Sequence, residues 1–203
     1  MATSAEQERR RFSYKDYCKW TDDGRWELID GVEYDMSPAP SRIHQKLSGE
    51  LFVRIYNVLK DRQCDVYAAP FDVRLADYAE ASDEDIFTVV QPDIVVVCDK
   101  LKLDERGCVG APDLTIEILS PYTAAKDMKT KRDLYEQHGV KEYWLVHPID
   151  KTFMVYCLNQ VKQYAKAEIY ANQDILESTV IVGLKIALPE LFGVPAEPAS
   201  SKH

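Results

Sequence analysis

The stretch QPDIVVVCD (residues 91–99), followed by APDLTIEILSP (residues 111–121), decides the fold. Each run opens on Pro-Asp and continues in β-branched and aliphatic residues, the composition of a short strand. Val95, Val96 and Val97 are consecutive, so the first strand is expected to be buried on both faces. In the second run, side chains alternate across the strand. Asp113, Thr115 and Glu117 share one face, and Leu114, Ile116 and Ile118 take the other. A mid-strand carboxylate among β-formers needs a partner or a metal ion to offset its desolvation. If the two strands pair, Asp93 and Glu117 meet near one end of the sheet. Two oxygen donors, completed by water and a substrate phosphate, suit Mg²⁺. Such an ion polarises a phosphoryl oxygen and acidifies bound water. Taken alone, Pro-Asp also has a plainer use, as a turn or cap at a strand start.

Upstream, Ser13 caps a short helix reaching about Trp20. RWELIDGVEYDMS then places two extended runs around Asp30-Gly31, a two-residue hairpin signal because both turn positions need φ > 0. Ile43, Leu47, Leu51, Ile55 and Leu59 recur every four residues and predict an amphipathic helix capped by Ser41. VYAAPFDVRL reads as one strand with Pro70 at an edge or bulge. ADYAEASDEDIF reads as an acidic surface loop.

Downstream, YTAAKDMKTKRDLYEQHG predicts a helix capped at Thr123 and stopped by Gly139. VKEYWLVHP predicts another buried strand. The remainder, including STVIVGLKIAL, reads as antiparallel strands with a turn near Asn159. LPELFG gives a short terminal helix. The fold class is therefore α/β: a mixed sheet flanked by helices in the order α-β-β-β-α-β, with an N-terminal hairpin and C-terminal antiparallel strands. A single domain over residues 13–194 is expected, with flexible tails at 1–12 and 195–203.

The net charge is −9, which counts against tight non-specific binding of nucleic acid and leaves a local basic patch or a metal ion as the route to phosphate. No apolar run spans a bilayer and no signal peptide is visible, so no membrane partner and a cytoplasmic location are expected. Five scattered cysteines without a CxxC pair argue against a disulfide framework or a cysteine zinc site. Reduced thiols are the simple reading.

Asp127, Lys131 and Tyr135 fall at i, i+4 and i+8 on the second long helix. Either they form an ordinary surface pair, or Lys131 reaches over the strand ends to position a water or neutralise charge on a phosphate. Glu27 in WELIDG is either a solvent-facing strand residue or a further site carboxylate. His44 lies in the first turn of its helix. His138 and His147 read as structural, and Tyr143, Trp144, Tyr156 and Tyr164 as core.

Taken together, WELIDG, MSPAPSRIHQ, VVQPDIVVV, APDLTIEILSP and DMKTKRDLYEQHGVKEYWLVHP resemble the Uma-two family over about residues 13–192. That family is a bacterial group abundant in cyanobacteria and a branch of the PD-(D/E)XK, restriction-endonuclease-like superfamily. The resemblance implies a Mg²⁺-dependent nuclease ancestry, with Mn²⁺ as a substitute. It implies that Asp93 is the metal-binding aspartate and Glu117 the acidic residue of the (D/E)XK element. The lysine expected two residues later is Leu119 here. Lys131 with Tyr135 gives KxxxY where RecB-like relatives carry QxxxY, so Lys131 is expected to replace that lysine. Glu27 matches the family's ELIDG element and His44 its helix-start histidine. The expected function is a metal-dependent endonuclease acting on DNA, with homodimerisation conceivable. The alternative is a catalytically degenerate nuclease fold serving as a binding or assembly module, which the charge of −9 and Leu119 favour. Hydrolysis of a small phosphate ester or a glycoside has weaker support.

Overall fold

The computed structural model describes residues 10–21, 24–36, 38–78 and 80–193. Most of residues 1–12 and all of 195–203, read as tails, lie outside that set. The Ser13 hydroxyl accepts from Asp16 N, and the Asp16 carboxylate accepts from Ser13 N. This reciprocal cap starts α1 (Tyr14–Tyr17). The hairpin of β1 (Trp26–Ile29) and β2 (Val32–Asp35) turns at Asp30 (φ 53°) and Gly31 (φ 80°), the two positive angles that Asp-Gly supplies. Phe12 N donates to Gly31 O, so the chain is already held ahead of Ser13.

Ser41 caps α2 (Arg42–Leu59) by accepting from His44 N. Leu47, Leu51, Ile55 and Leu59 are buried as the spacing predicts, but Ile43 is 43% exposed and His44 takes its place on the inner face. A strict four-residue spacing drifts about 40° per step on a helix of 3.6 residues per turn, so the first member rotates outward.

The segment read as a single strand is two. β3 (Asp65–Ala68) ends at the cis Ala69–Pro70 bond, and β4 (Asp72–Arg74) belongs to a different sheet. The acidic segment after it has no strand or helix among its described residues, although Ile86 is buried against Tyr14 and Leu28. β5 (Val89–Val90), β6 (Ile94–Val97), β7 (Leu103–Asp104), β8 (Gly107–Val109) and β9 (Leu114–Ile118) follow. Then come α3 (Arg132–His138), β10 (Glu142–His147), β11 (Thr152–Cys157), β12 (Glu168–Tyr170), β13 (Ile175–Glu177), β14 (Lys185–Ala187) and α4 (Leu188–Phe192).

One mixed sheet runs β12-β11-β10-β9-β6-β3, and a second runs β2-β1-β5-β4-β8-β7. The expected order α-β-β-β-α-β is realised in the first by α2, β3, β6, β9, α3 and β10. One face of that sheet, with Ile94, Val96, Ile116 and Trp144, packs on Leu47, Leu51 and Ile55 of α2. The other, with Val95, Val97, Tyr143 and Leu145, packs on Leu134 and Tyr135 of α3 and on Val73 and Val90 of the second sheet. Covering both faces accounts for the unbroken valine run.

Three further expectations are corrected. STVIVG forms no strand: only Lys185–Ala187 pairs, with β13, and the preceding loop delivers Ser178 Oγ and Val180 N to the buried Glu142 carboxylate. The helix before α3 is capped by Ser120 rather than Thr123, since Ser120 Oγ accepts from Thr123 N and Ser120 O from Ala124 N. Cys64 and Cys98 form a disulfide, so the reading of reduced thiols fails for this pair. Antiparallel pairing of Asp65 with Val97 puts the next residues, 64 and 98, opposite each other, which spacing along the sequence does not reveal. Cys18, Cys108 and Cys157 are free. No helix among the described residues is long and apolar enough to cross a membrane.

Candidate functional site

β6 and β9 pair with Ile94 opposite Ile116, and one more step places Asp93 opposite Glu117. Asp93 Oδ2 accepts from Ile118 N at 2.7 Å and lies 3.0 Å from His44 Nε2. His44 reaches it from the first turn of α2. Glu117 Oε1 accepts from Lys131 Nζ at 2.8 Å and from the Tyr135 hydroxyl at 2.9 Å. Asp93, Glu117, Lys131 and His44 line one cavity of about 280 Å³, whereas Glu27 and Tyr135 sit behind its wall.

The backbone before α3 adopts a π-helix over Lys126–Lys131. In an α-helix, residues five apart point about 140° away from each other. The wider i→i+5 turn brings them close to one face. Lys126 Nζ therefore meets Glu27 Oε2 and Lys131 Nζ meets Glu27 Oε1, both at 2.6 Å. Lys131 also lies 3.7 Å from Asp127 Oδ1, a buried atom without a hydrogen-bond partner among the described residues. Glu27, carried in by β1 of the other sheet, accepts a third bond from Gln91 N at 3.1 Å.

The cluster holds four carboxylates (Glu27, Asp93, Glu117, Asp127) against two lysines (Lys126, Lys131). Burial opposes charge on Glu27, but Lys131 and Lys126 outweigh it and hold the carboxyl down at about 2. Burial, reinforced by Asp127, Asp93 and Glu27, pushes Glu117 well above the usual carboxylate range despite Lys131. Burial also works against the Lys131 ammonium, but Glu117, Glu27 and Asp127 keep its proton on. Burial likewise raises Asp127 and Tyr135.

The donor set suits a hard divalent cation. Both protein contacts of Asp93 fall on Oδ2 and both of Glu117 on Oε1; among the described residues no hydrogen bond falls on Oδ1 or Oε2. No three His, Cys, Asp or Glu side chains among the described residues converge as a complete cage. Mg²⁺ is commonly held by one or two carboxylates, its shell completed by water and substrate phosphate.

Sequence reasoning singled out Asp93, Glu117, Lys131, Glu27, His44 and Tyr135; the structure bonds Glu27, Glu117, Lys131 and Tyr135 in one group and His44 with Asp93 in another, the two meeting where Asp93 faces Glu117 across the paired strands. It missed Lys126, because the π-turn has no signature in an i, i+4 pattern. It saw Asp127 only as a mate for Lys131, and did not single out Arg25 or Gln91. His147, read as structural, also borders the cavity, while its Nδ1 accepts from Asp150 N. His138 lies off it, with its pKa lowered by burial. Tyr143 and Trp144 are core residues as expected.

The sequence profile of Uma2, described as "Putative restriction endonuclease", matches residues 14–189. The chain belongs to the Uma2 family. A curated relative, "Uncharacterized protein slr1290" of Synechocystis sp. (strain ATCC 27184 / PCC 6803 / Kazusa), is 25% identical over 185 residues, covering 90% of this chain and 92% of the relative. A similar solved structure is that of "a putative nuclease belonging to DUF820" from Anabaena variabilis ATCC 29413. It is 21% identical, with a TM-score of 0.71, covering 90% of this chain and 98% of that one. That likeness shows a shared fold. In this Uma2 chain, Leu119 stands where a PD-(D/E)XK lysine is expected, is 4% exposed, and packs in the core with Tyr135 and Leu145.

Proposed function

We propose that this Uma2 protein is a Mg²⁺-dependent endonuclease that hydrolyses phosphodiester bonds of DNA. The observation that carries the reading is the juxtaposition of Asp93 and Glu117 across β6 and β9, opening on a cavity and backed by Lys131. Asp93 and Glu117 would hold the metal, which supplies Lewis-acid polarisation of a phosphoryl oxygen and an acidified water. His44 fixes Asp93 from one side, and the Ile118 amide fixes it from the other. Tyr135 and Lys131 aim Glu117 through the same oxygen. Glu27 acts at one remove, by holding Lys131 and Lys126 in place.

Lys131 differs in role from a water-positioning lysine. Lys131 is 2% exposed, and its ammonium is surrounded by Glu27, Glu117 and Asp127. We assign it to orienting Glu117 and offsetting the cluster's negative charge. The degenerate-fold reading draws on the same facts, together with the buried Leu119.

Nicking of supercoiled plasmid separates the two readings. The endonuclease reading expects Mg²⁺-dependent nicking that chelation stops and that Asp93→Asn or Glu117→Gln abolishes. Equal nicking by wild type and both variants would assign the activity to a contaminant and count against the site.

A further inference from the structure

We propose that Arg25 and Lys126 form a phosphodiester-binding pair on the cavity wall, and that Lys131 makes no contact with the substrate. The proposal rests on the phosphodiesterase reading above and says which side chains meet the DNA backbone.

The two lysines of the π-turn differ in access. The Lys131 side chain is 3% exposed, with acid oxygens at 2.6, 2.8 and 3.7 Å. An ammonium has three donors, and each of these has an acid to face. The Lys126 side chain is 16% exposed and meets a single acid oxygen among the described residues, Glu27 Oε2 at 2.6 Å. Its other side faces the Tyr34 ring, with Nζ 5.7 Å from the centroid. Two of its donors are thus available where it lines the cavity.

Arg25 lines the same cavity from the strand edge before β1. It stands two residues before Glu27, and in extended chain residues two apart share a face. Its Nε and Nη2 donate to one acceptor, Gln91 Oε1, at 3.4 and 3.1 Å. A guanidinium carries five N–H groups, so among the described residues three remain without a partner, in a planar fork suited to phosphate oxygens. Gln91 N in turn donates to Glu27 Oε1. Arg25 and Lys126 are therefore tethered through neighbouring residues, Gln91 and Glu27, and are held ready beside Asp93 and Glu117.

The pair also answers an electrostatic difficulty. A chain of net charge −9 with Asp93, Glu117 and Asp127 lining its cavity repels a phosphate unless cations stand at the approach. Arg25 and Lys126 are those cations. A buried Lys131 neutralises carboxylates instead.

The test is binding of a short fluorescent DNA duplex, followed by anisotropy across a salt series. Ca²⁺ replaces Mg²⁺ because it takes oxygen ligands in a looser geometry. Wild type is compared with Lys126→Met, Lys126→Arg and Arg25→Gln, and Mn²⁺ binding is measured calorimetrically for each. Lys126→Met and Arg25→Gln should each weaken DNA binding tenfold or more and flatten the log–log salt slope by roughly 1. Their Mn²⁺ affinity should stay at wild type, and Lys126→Arg should restore DNA binding. Wild-type DNA binding by both Lys126→Met and Arg25→Gln would overturn the pair and leave the nuclease reading standing. DNA loss accompanied by equal Mn²⁺ loss would show a structural role and also overturn it. Wild type that binds Mn²⁺ but no DNA would overturn both.

Discussion

Replacing Lys131 by Met keeps most of the side-chain volume and deletes the charge that Glu27 and Glu117 share. The ammonium is almost fully buried and sits 2.6 Å from one carboxylate and 2.8 Å from the other. Removing one partner of a buried ion pair leaves uncompensated charge and costs about 3–5 kcal/mol. Each kcal/mol moves the Tm of a chain this size by about 2–4 °C, so a fall of roughly 6–20 °C is expected at pH 7. Lys126 still neutralises part of Glu27, which points to the lower half of that range. The assay is urea and thermal unfolding followed by circular dichroism. Lys131→Met/Glu27→Gln should recover part of the loss, because the carboxylate left behind is gone. A Lys131→Met protein within about 1 kcal/mol of wild type, or a double variant whose losses simply add, would refute the cluster as drawn.

Glu27 sets an acid limit on stability. Its folded pKa of about 2 lies below the ordinary 4.5, so its contribution is full above about pH 4.5 and is lost as pH falls toward 2. The difference amounts to about 3 kcal/mol, and Glu27→Gln should flatten that limb of a urea-stability profile. Glu142, wholly buried, accepts from Trp144 Nε1 at 2.9 Å, Ser178 Oγ at 2.7 Å and Val180 N at 3.1 Å. Glu142→Ala strands these donors and should cost on the order of 3 kcal/mol, with faster hydrogen exchange at the Val180 amide. Thiol titration of the unreduced, denatured protein should find Cys18, Cys108 and Cys157 but not Cys64 or Cys98. Reduction should lower stability by up to about 4 kcal/mol, the chain-entropy expectation for cysteines 34 residues apart.

The central elements were legible because their signals are local. A valine run without polar alternation marks a strand covered on both faces, and Asp30-Gly31 marks the hairpin of β1 and β2. Pro-Asp followed by a polar strand face marked Asp93 and Glu117. The register that joins them, with Ile94 opposite Ile116, is a long-range property that the two runs made plausible without fixing. Glu27 shows the limit from the other side. Its sequence neighbourhood fits an exposed strand residue, and only the junction of two sheets buries it under two lysines. Lys126 was hidden by a π-turn, because helical patterns assume 3.6 residues per turn. His44 replaced Ile43 on the buried face for a related reason: a four-residue count slips against the true period. The Cys64–Cys98 bond and the split at Pro70 both depend on which strands pair, which composition does not encode.

The most direct test of the metal site is calorimetric titration of Mn²⁺, which shares the oxygen preference of Mg²⁺, into wild type and Asp93→Ala/Glu117→Ala. The titration is run with and without a non-cleavable DNA duplex that can complete the coordination shell. The account predicts stoichiometric binding by wild type that disappears in the double variant. Absence of binding by wild type under both conditions, or undiminished binding by the double variant, would contradict it.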